Sequence, residues 1–346
     1  MIGALRRVSD RLLGRGEAAL TVPPLDGAWK PNNRLEEAAA GHGASAPMAL
    51  VLQDGRPLWA EGARVMSAAG EIRIEPGVVT AMALSPAGVL AVGSDGIAIG
   101  GERPAALAGL RCITALAWDA EGALWIAIGS ELHGFAERSR DFLEQRRAGK
   151  LLRWADGQLS TVAEKLGFPW GLMPRDGGMV VAESWCKRLI WIDKSGQRRV
   201  LAEDLPGYPA GLAATPSGGA WLALFAPRSP LLELVLREPK YRREMMAEVP
   251  PDYWIAPALS SGRSFLEPMQ GGALKQMGIL KPWAPSRSAG LVAEFNAAWT
   301  PLQSLHSRAG GRRHGVTALA EAEGSLWLAV TGGDEVLRIS VREEAR

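Results

Sequence analysis

Residues 168–228 decide the fold and read FPWGLMPRDGGMVVAESWCKRLIWIDKSGQRRVLAEDLPGYPAGLAATPSGGAWLALFAPR. This stretch holds an apolar strand, a glycine-containing turn and a second apolar strand, and then repeats that unit. Strands joined at a glycine predict β-hairpins, because glycine accepts the positive φ that tight turns require. One hairpin cannot bury its own apolar faces, so the pattern predicts that several copies pack against each other.

The hairpin pattern recurs six times along the chain. The copies occupy residues 47–61, 80–94, 114–128, 170–184, 210–224 and 317–330. Their predicted turn glycines are Gly55, Gly88, Gly122, Gly178, Gly218 and Gly324. Further β-like segments follow each copy, and four strands in each of six units predict an all-β fold, a six-bladed β-propeller. The N-terminal part of the chain is expected to complete the last blade and so hide the sheet edges.

Two segments interrupt the regular spacing of the repeat. Residues 132–150 form a polar, basic insertion, and residues 227–288 form a longer one that begins with a helical pattern. Long irregular segments in a compact fold are usually lids or binding loops, so we expect 227–288 to cover one face of the ring. Residues 1–46 are predicted to be an N-terminal helix and an approach segment. Nothing resembles a linker, and 1–346 is therefore predicted to be a single propeller domain.

Two phrases carry a family resemblance. VVAESWCKRLIWID at 180–193, and LAEDLPGYPAGL with GGAWLALFAPR at 201–228, resemble the signature region of the strictosidine synthase-like family. That family belongs to a superfamily of six-bladed propellers that also contains the calcium-dependent lactonases. The resemblance implies a propeller with a small-molecule site at its axis.

The family's metal ligands have no counterparts here. In the lactonases, Glu, Asn and Asp side chains at the starts of the inner strands hold calcium, which requires oxygen donors. The matching positions in this chain read Pro47-Met48-Ala49, Pro169-Trp170-Gly171 and Tyr208-Pro209-Ala210-Gly211. We therefore predict no metal and no cofactor. Thr317 occupies or adjoins the position of the synthase's catalytic Glu, so strictosidine synthase activity is not expected.

The repeat also predicts where a pocket lies. The start of each first strand and the end of each second strand open onto one face, and both insertions emerge there. The candidate catalytic residues are His314, whose ordinary pKa lies near neutrality, and Glu183, whose carboxyl could be tuned by aromatic walls. The candidate substrate-binding residues are Trp170, Trp185, Arg228, Arg308, His306 and Tyr208. Structural alternatives stay open, since Glu183 could be an ion-paired carboxylate, His314 a hydrogen-bonded histidine, and either Trp a packing residue.

Composition narrows the function. Lys and Arg (39) nearly balance Asp and Glu (37), and no basic stripe interleaves with aromatics, so a nucleic-acid partner is not expected. No apolar run is long enough for a membrane span, and the two cysteines are too few for a disulfide framework. A cytoplasmic protein is the expectation.

The leading hypothesis is a metal-independent hydrolase of an ester, lactone or amide-like bond, acting on a small molecule in a central axial pocket. The alternative is a non-catalytic propeller that binds a small molecule or a protein partner.

Overall fold

The computed structural model describes residues 22–264, 266–268, 275–276, 279–280, 287–308 and 310–341. Their strands form six antiparallel sheets arranged as blades around a ring, together with one small two-stranded sheet. Blade 1 contains β2 (Leu50–Gln53), β3 (Arg56–Glu61), β4 (Arg64–Ser67) and β5 (Gly70–Ile74), and it follows β1 (His42–Gly43). Blade 2 contains β6 (Ala81–Leu84), β7 (Leu90–Ser94) and β8 (Gly96–Ile99). Blade 3 contains β9 (Ile113–Trp118), β10 (Leu124–Ile128), β11 (Gly149–Ala155) and β12 (Gln158–Leu166).

The second half of the ring continues this order. Blade 4 contains β13 (Pro169–Arg175), β14 (Gly178–Glu183), β15 (Arg188–Ile192) and β16 (Arg198–Ala202). Blade 5 contains β17 (Gly207–Ala214), β18 (Ala220–Pro227), β21 (Leu291–Phe295) and β22 (Pro301–His306). Blade 6 contains β23 (Val316–Ala322), β24 (Ser325–Val330), β25 (Glu335–Ser340) and, at its outer edge, β1. The small sheet pairs β19 (Lys275–Gln276) with β20 (Ile279–Leu280).

The innermost strands β2, β6, β9, β13, β17 and β23 pack side by side, and β23 contacts β2 to close the circle. The prediction of a six-bladed β-propeller is therefore confirmed. All six predicted hairpins are present as the first two strands of a blade. Their apolar strands are buried between neighbouring blades, which is the stacking that isolated hairpins require.

Two details of the sequence-based prediction were wrong. In the fourth hairpin the turn residues are Asp176 and Gly177, with φ of 49° and 71°, and Gly178 already belongs to β14. A two-residue turn of this kind needs positive φ at both positions, and Asp-Gly supplies it. Blade 2 has three strands instead of four, because the chain after β8 passes Pro104 into a short 3-10 turn at Ala105–Leu107. Proline cannot donate a hydrogen bond to a sheet, so no fourth strand continues there.

The N-terminal part of the chain closes the ring, as expected. β1 pairs antiparallel with β25, and His42 lies opposite Val336. Residues 22–41, which we call the N-terminal strap, contain α1 (Arg34–Glu37) and cross the outer strand of blade 5. The predicted helix at the start of the chain lies in residues 1–21, outside the described residues.

Side chains fasten the strap at both of its ends. The Asn32 amide donates to the carbonyl of Ser304 at 2.8 Å and accepts from the backbone N–H of His306 at 3.0 Å. Arg313 donates to the carbonyl of Ala38 at 2.7 Å and forms an ion pair with Glu335 at 2.8 Å. These contacts bring residue 42 to the edge of blade 6.

Both insertions adopt helical structure. The first, between β10 and β11, contains a 3-10 turn at Phe135–Glu137 and α2 (Arg138–Glu144). The second, between β18 and β21, contains α3 (Pro230–Arg237), α4 (Pro239–Glu248) and a 3-10 turn at Pro251–Tyr253. Ser229 caps α3 by accepting the N–H of Leu232 at 3.2 Å. Pro230 is the first helical residue, and the fixed φ of proline suits that position. None of the helices in the described part of the chain could cross a lipid bilayer.

Candidate functional site

Hydroxyl groups close the centre of the ring. Each of four hydroxyls near the axis donates to a backbone carbonyl of the next blade: Thr80 to Ile113, Thr114 to Pro169, Ser184 to Pro209, and Thr317 to Met48. Thr331 adds a bond to Pro47 at 2.6 Å, so blades 6 and 1 are joined twice. The hydroxyls of these threonines and of Ser184 therefore link neighbouring blades. We call this set of inner strands and hydroxyls the hub.

The cavity at the hub is small. It measures about 80 Å³ and lies among the inner strands, with Trp170, Met48 and Thr317 on its wall. Pockets for drug-sized ligands usually measure roughly 300–1,000 Å³. The positions that match the family's metal ligands carry Met48, Trp170 and Ala210, which offer no side-chain oxygen. Within the described residues, no group of three or more His, Cys, Asp or Glu side chains could hold a metal ion.

An aromatic cluster fills the space between the hub and the first insertion. Trp170 is buried and packs against Phe225 at 4.7 Å between ring centres, and Trp185 stacks on Phe168 at 4.6 Å. The Trp185 indole N–H donates to the carboxylate of Asp141 at 2.8 Å. Three of the predicted substrate-binding residues, Trp170, Trp185 and Tyr208, lie in this one cluster.

Tyr208 is fully buried in the same cluster, where its ring contacts Phe142 at 5.4 Å. Its hydroxyl has no hydrogen-bond partner in the part of the chain that the structure describes. Burial raises the pKa of this phenol well above its usual range, with a smaller contribution from the carboxylate of Glu233. Tyr208 is therefore neutral at physiological pH.

Two predicted site residues take part in buried ion pairs. Glu183 has no solvent exposure, contacts the Arg188 guanidinium at 2.5 Å and accepts the N–H of Gly167 at 2.8 Å. Arg228 is buried between Glu233 at 2.9 Å and Asp204 at 2.6 Å. The Glu183–Arg188 pair lies within blade 4, whereas the Arg228–Glu233 pair connects blade 5 to α3.

His314 lies at the rim of the hub below the second insertion and is only 2% exposed. Its Nε2 is 2.9 Å from the carbonyl oxygen of Arg308, so Nε2 carries the proton and donates. Its Nδ1 is 3.5 Å from the Ser261 hydroxyl of the insertion. Burial lowers the pKa of His314. The Arg308 side chain is exposed, and in the described residues no hydrogen bond joins His314 to Glu183.

His306 is distant from the axis, at the end of the outermost strand of blade 5. Its Nε2 is 2.8 Å from the hydroxyl of Ser304, which itself donates to the carbonyl of Ala28. A hydroxyl has one proton, so Nε2 is the donor to Ser304. Burial lowers the pKa of His306 to about 4. The backbone N–H of His306 donates to Asn32 of the strap, and its ring reaches the strap through Ser304.

A much larger cavity lies between the two insertions. It measures about 670 Å³, and we call it the lid cavity. Residues 136–140 of the first insertion form one wall, and residues between 251 and 287 form the other. Met48 and Thr331 of the ring lie at its base, so it opens on the face where the inner strands begin. That is the face on which the sequence predicts a pocket.

None of the eight residues predicted to form the site lines the lid cavity. Its polar wall consists of four arginines, three acids and a few hydroxyls: Arg138, Arg140, Arg263, Arg287, Glu137, Asp252, Glu267, Ser139, Ser260, Ser264, Thr331 and Tyr253. The basic character of 132–150 was visible in the sequence. A repeat fixes the positions of strands, however, and it cannot show which insertion side chains turn inward.

The second insertion is shaped around two of its own side chains. The carboxylate of Glu267 accepts the backbone N–H groups of Gly262, Arg263 and Ser264 at 2.9–3.2 Å, which fixes a tight loop. The Trp254 indole donates to Val249 at 2.8 Å, and the Arg140 guanidinium lies 5.7 Å from the Trp254 ring. The insertion wall of the cavity is therefore preformed, as ligand sites usually are.

The sequence matches no protein-family model and no curated protein. Solved structures share the fold. A propeller provisionally assigned as a gluconolactonase has 13% identity and a TM-score of 0.51, covering 88% of this chain and 90% of its own. A gluconolactonase from Xanthomonas campestris has 14% identity and a TM-score of 0.49, with 87% of each chain covered. Virginiamycin B lyase from Staphylococcus aureus has 10% identity and a TM-score of 0.46, covering 84% of this chain and 79% of its own.

At 13% identity, the similarity to the first of these structures supports the fold alone and assigns no role to any residue. Two of the three structural neighbours carry the name gluconolactonase. Membership of the strictosidine synthase-like family stays a prediction.

Proposed function

We propose that this propeller acts on a small molecule in the lid cavity, and that the reaction is hydrolysis of an ester or lactone bond. The difference in size between the two cavities carries the proposal. The lid cavity, at about 670 Å³, holds a ligand of ordinary size, whereas the hub cavity, at about 80 Å³, does not. The catalytic site is thus displaced from the axis into the insertions.

Hydrolysis without a metal needs a group that activates water and a donor that stabilises the oxyanion. The lid cavity contains both kinds of group, with Glu137 and Asp252 as exposed carboxylates and arginines as cationic donors. A shared fold with a propeller provisionally assigned as a gluconolactonase is consistent with this chemistry. The catalytic roles predicted for Glu183 and His314 do not fit this proposal, since neither residue lines either cavity.

The second candidate function is ligand binding without turnover. One observation favours it: the oxygens of Glu267, the one buried acid of the lid cavity among the described residues, already accept three backbone N–H groups. An acceptor that is satisfied in this way orders a loop and is poorly placed to take a proton from water.

Filling the lid cavity tests its use. Ala136 is exposed at the wall of the cavity, so A136W should block it without disturbing the core. The matched control is A297W, an exposed alanine in the turn between β21 and β22 at the other end of the ring. Thermal-shift measurements with a panel of lactones and esters, and base uptake in a pH-stat, report binding and hydrolysis separately.

We expect A136W to lose both signals and A297W to keep both. Unchanged binding and turnover in A136W would show that the lid cavity is not the site. Binding with no base uptake by the unmodified protein would favour the non-catalytic candidate.

A further inference from the structure

Two arginines of the lid cavity have donors that the described residues leave unused. Arg138 and Arg287 line the cavity from different insertions, and the Nε atom of each is buried without a hydrogen-bond partner among the described residues. By contrast, Arg228 pairs with Glu233, and Arg313 pairs with Glu335. A buried donor without an acceptor, on a charged group, costs free energy.

Arg138 is the more isolated of the two. Its one hydrogen bond in the described structure runs from Nη1 to the carbonyl oxygen of Phe135, at a long 3.4 Å, and its guanidinium lies 5.2 Å from the Phe135 ring. Burial lowers its pKa to about 10, so the group remains charged at neutral pH. Its neighbour Cys112 is neutral, because burial raises the pKa of that thiol to about 11. Asp141 accepts the Trp185 indole N–H through Oδ1, and its Oδ2 has no hydrogen-bond partner among the described residues. No ion pair between described residues joins Arg138 to Asp141 or to another acid.

Arg287 has one good hydrogen bond, from Nη2 to the carbonyl oxygen of Asp252 at 2.7 Å. The carboxylates of Glu267 and Asp252 are near enough to favour its charged form, but burial lowers its pKa more strongly. No ion pair with a described residue joins it to either acid. Arg287 is therefore a second cation at the same cavity without a paired carboxylate.

We propose that the lid cavity recognises an anionic group, a carboxylate or a phosphate monoester, through Arg138 with support from Arg287. The inference deepens the proposed function and rests on it. The unused donors of Arg138 are Nε and Nη2, which form one edge of the guanidinium. Two parallel N–H groups on one edge match the two oxygens of a carboxylate or phosphate. The uncharged body of the ligand then lies against Tyr253 and Leu259, which line the same cavity.

Matched pairs of anionic and neutral probes test the inference on the full chain. The carboxylate arm uses 4-phenylbutyrate against 4-phenylbutyramide, and the phosphate arm uses phenyl phosphate against phenol. Isothermal titration calorimetry should show about tenfold or greater preference for the anionic member in at least one arm, the size expected for hydrogen bonds to a charged group. The arm with the larger preference identifies the anion.

Arginine variants locate the effect. R138Q should remove most of the anion preference, and R287Q should reduce it by a smaller factor. The matched control, R175Q, changes an arginine at the opposite end of β13 and should keep the full preference. In the absence of ligand, R138Q should melt at the same temperature as the unmodified protein or higher, because an uncompensated cation has been removed. An arginine with a purely structural role would give a lower melting temperature.

The outcomes separate the two proposals. Equal affinity for the charged and neutral probes, or an anion preference that survives in R138Q and R287Q, overturns the anion inference and leaves the lid cavity as a site for neutral ligands. Absence of any anion binding overturns it as well. The proposed function itself fails only in the separate experiment, when A136W changes neither lactone binding nor hydrolysis. Should R138Q fold poorly, R287Q and R138K still measure the preference.

Discussion

The hub and the lid cavity lie on the same face of the propeller but differ in how their polar groups are used. At the hub, threonine and serine hydroxyls are consumed in bonds to the next blade, and the remaining space is about 80 Å³. At the lid cavity, about 670 Å³ is open, and the Nε atoms of Arg138 and Arg287 have no hydrogen-bond partner among the described residues. The hydroxyl groups at the hub stabilise the ring, whereas these two guanidinium groups keep donors available. The difference teaches that position in a fold does not by itself identify the functional centre.

The largest expected loss of stability comes from removing the largest side chain of the hub. W170A deletes a buried indole that packs on Phe225 and Phe168, and it should lower the free energy of unfolding by about 3–5 kcal/mol. Y253A, which changes the wall of the lid cavity, should cost less than about 1 kcal/mol because Tyr253 is only partly buried. Guanidinium denaturation of both variants gives the comparison. Similar losses in the two would mean that the hub and the lid cavity are equally important for stability.

The strap is a third region, and its stability should depend on pH through His306, whose partner Ser304 donates to Ala28 of the strap. The pKa of His306 is about 4 in the folded protein and ordinarily about 6.5, so the unfolded chain binds the proton more tightly. The contribution of neutral His306 to the free energy of unfolding is fully present above pH 6.5. It is lost as the pH falls from 6.5 to 4, by on the order of 3 kcal/mol. H306Q should flatten this part of the profile. An identical acid slope in H306Q and the unmodified protein would contradict the assignment.

A smaller effect separates structure from catalysis at Glu183. E183Q removes the carboxylate of the ion pair with Arg188 at a buried site and should cost about 2 kcal/mol, since solvent reaches part of the Arg188 side chain. Hydrolysis of any lactone that proves to be a substrate should persist below the melting temperature. The opposite pattern, lost turnover at unchanged stability, would restore Glu183 as an acid–base residue and weaken the contrast between the two cavities.

The smallest expected change concerns a single hub hydroxyl. T317V keeps the shape of the side chain but removes the bonds to Met48 at 3.0 Å and Thr331 at 2.6 Å, for a loss of about 1–2 kcal/mol. T317S retains the hydroxyl and is the matched control, with a loss below about 1 kcal/mol. Melting temperatures at neutral pH rank the three proteins. Equal stability of T317V and T317S would show that the bonds between blades contribute little.

Most of the fold could be predicted because the same hairpin pattern occurs six times in the sequence. The alternation of apolar residues with glycine at the turns located every hairpin, and the count required a ring. Exceptions arose where a local residue overrides the pattern. Asp176 and Gly177 moved one turn by a residue, and Pro104 removed one strand.

The candidate site was far less predictable. Trp170 lines the hub cavity, because it lies near the start of an inner strand, whereas its role in binding a substrate stays a prediction. Arg138 and Arg287 could not be found, since they come from two different insertions and are 149 residues apart in sequence. Glu183 and Arg228 were predicted as site residues because they are charged and lie at strand ends. Both form ion pairs, with Arg188, Glu233 and Asp204, and pairing between distant residues is not visible in a single sequence.

The two-residue strand β1 has a consequence for how the chain is made. His42 and Gly43 pair with Val336 and Glu335, which follow them by about 290 residues in the chain. Until β25 has been synthesised, β1 has no partner strand, and the blades form an open arc with two unpaired edges. Closure of the ring must wait for β25, so we expect it to be a late folding step and the one most exposed to mispairing between molecules.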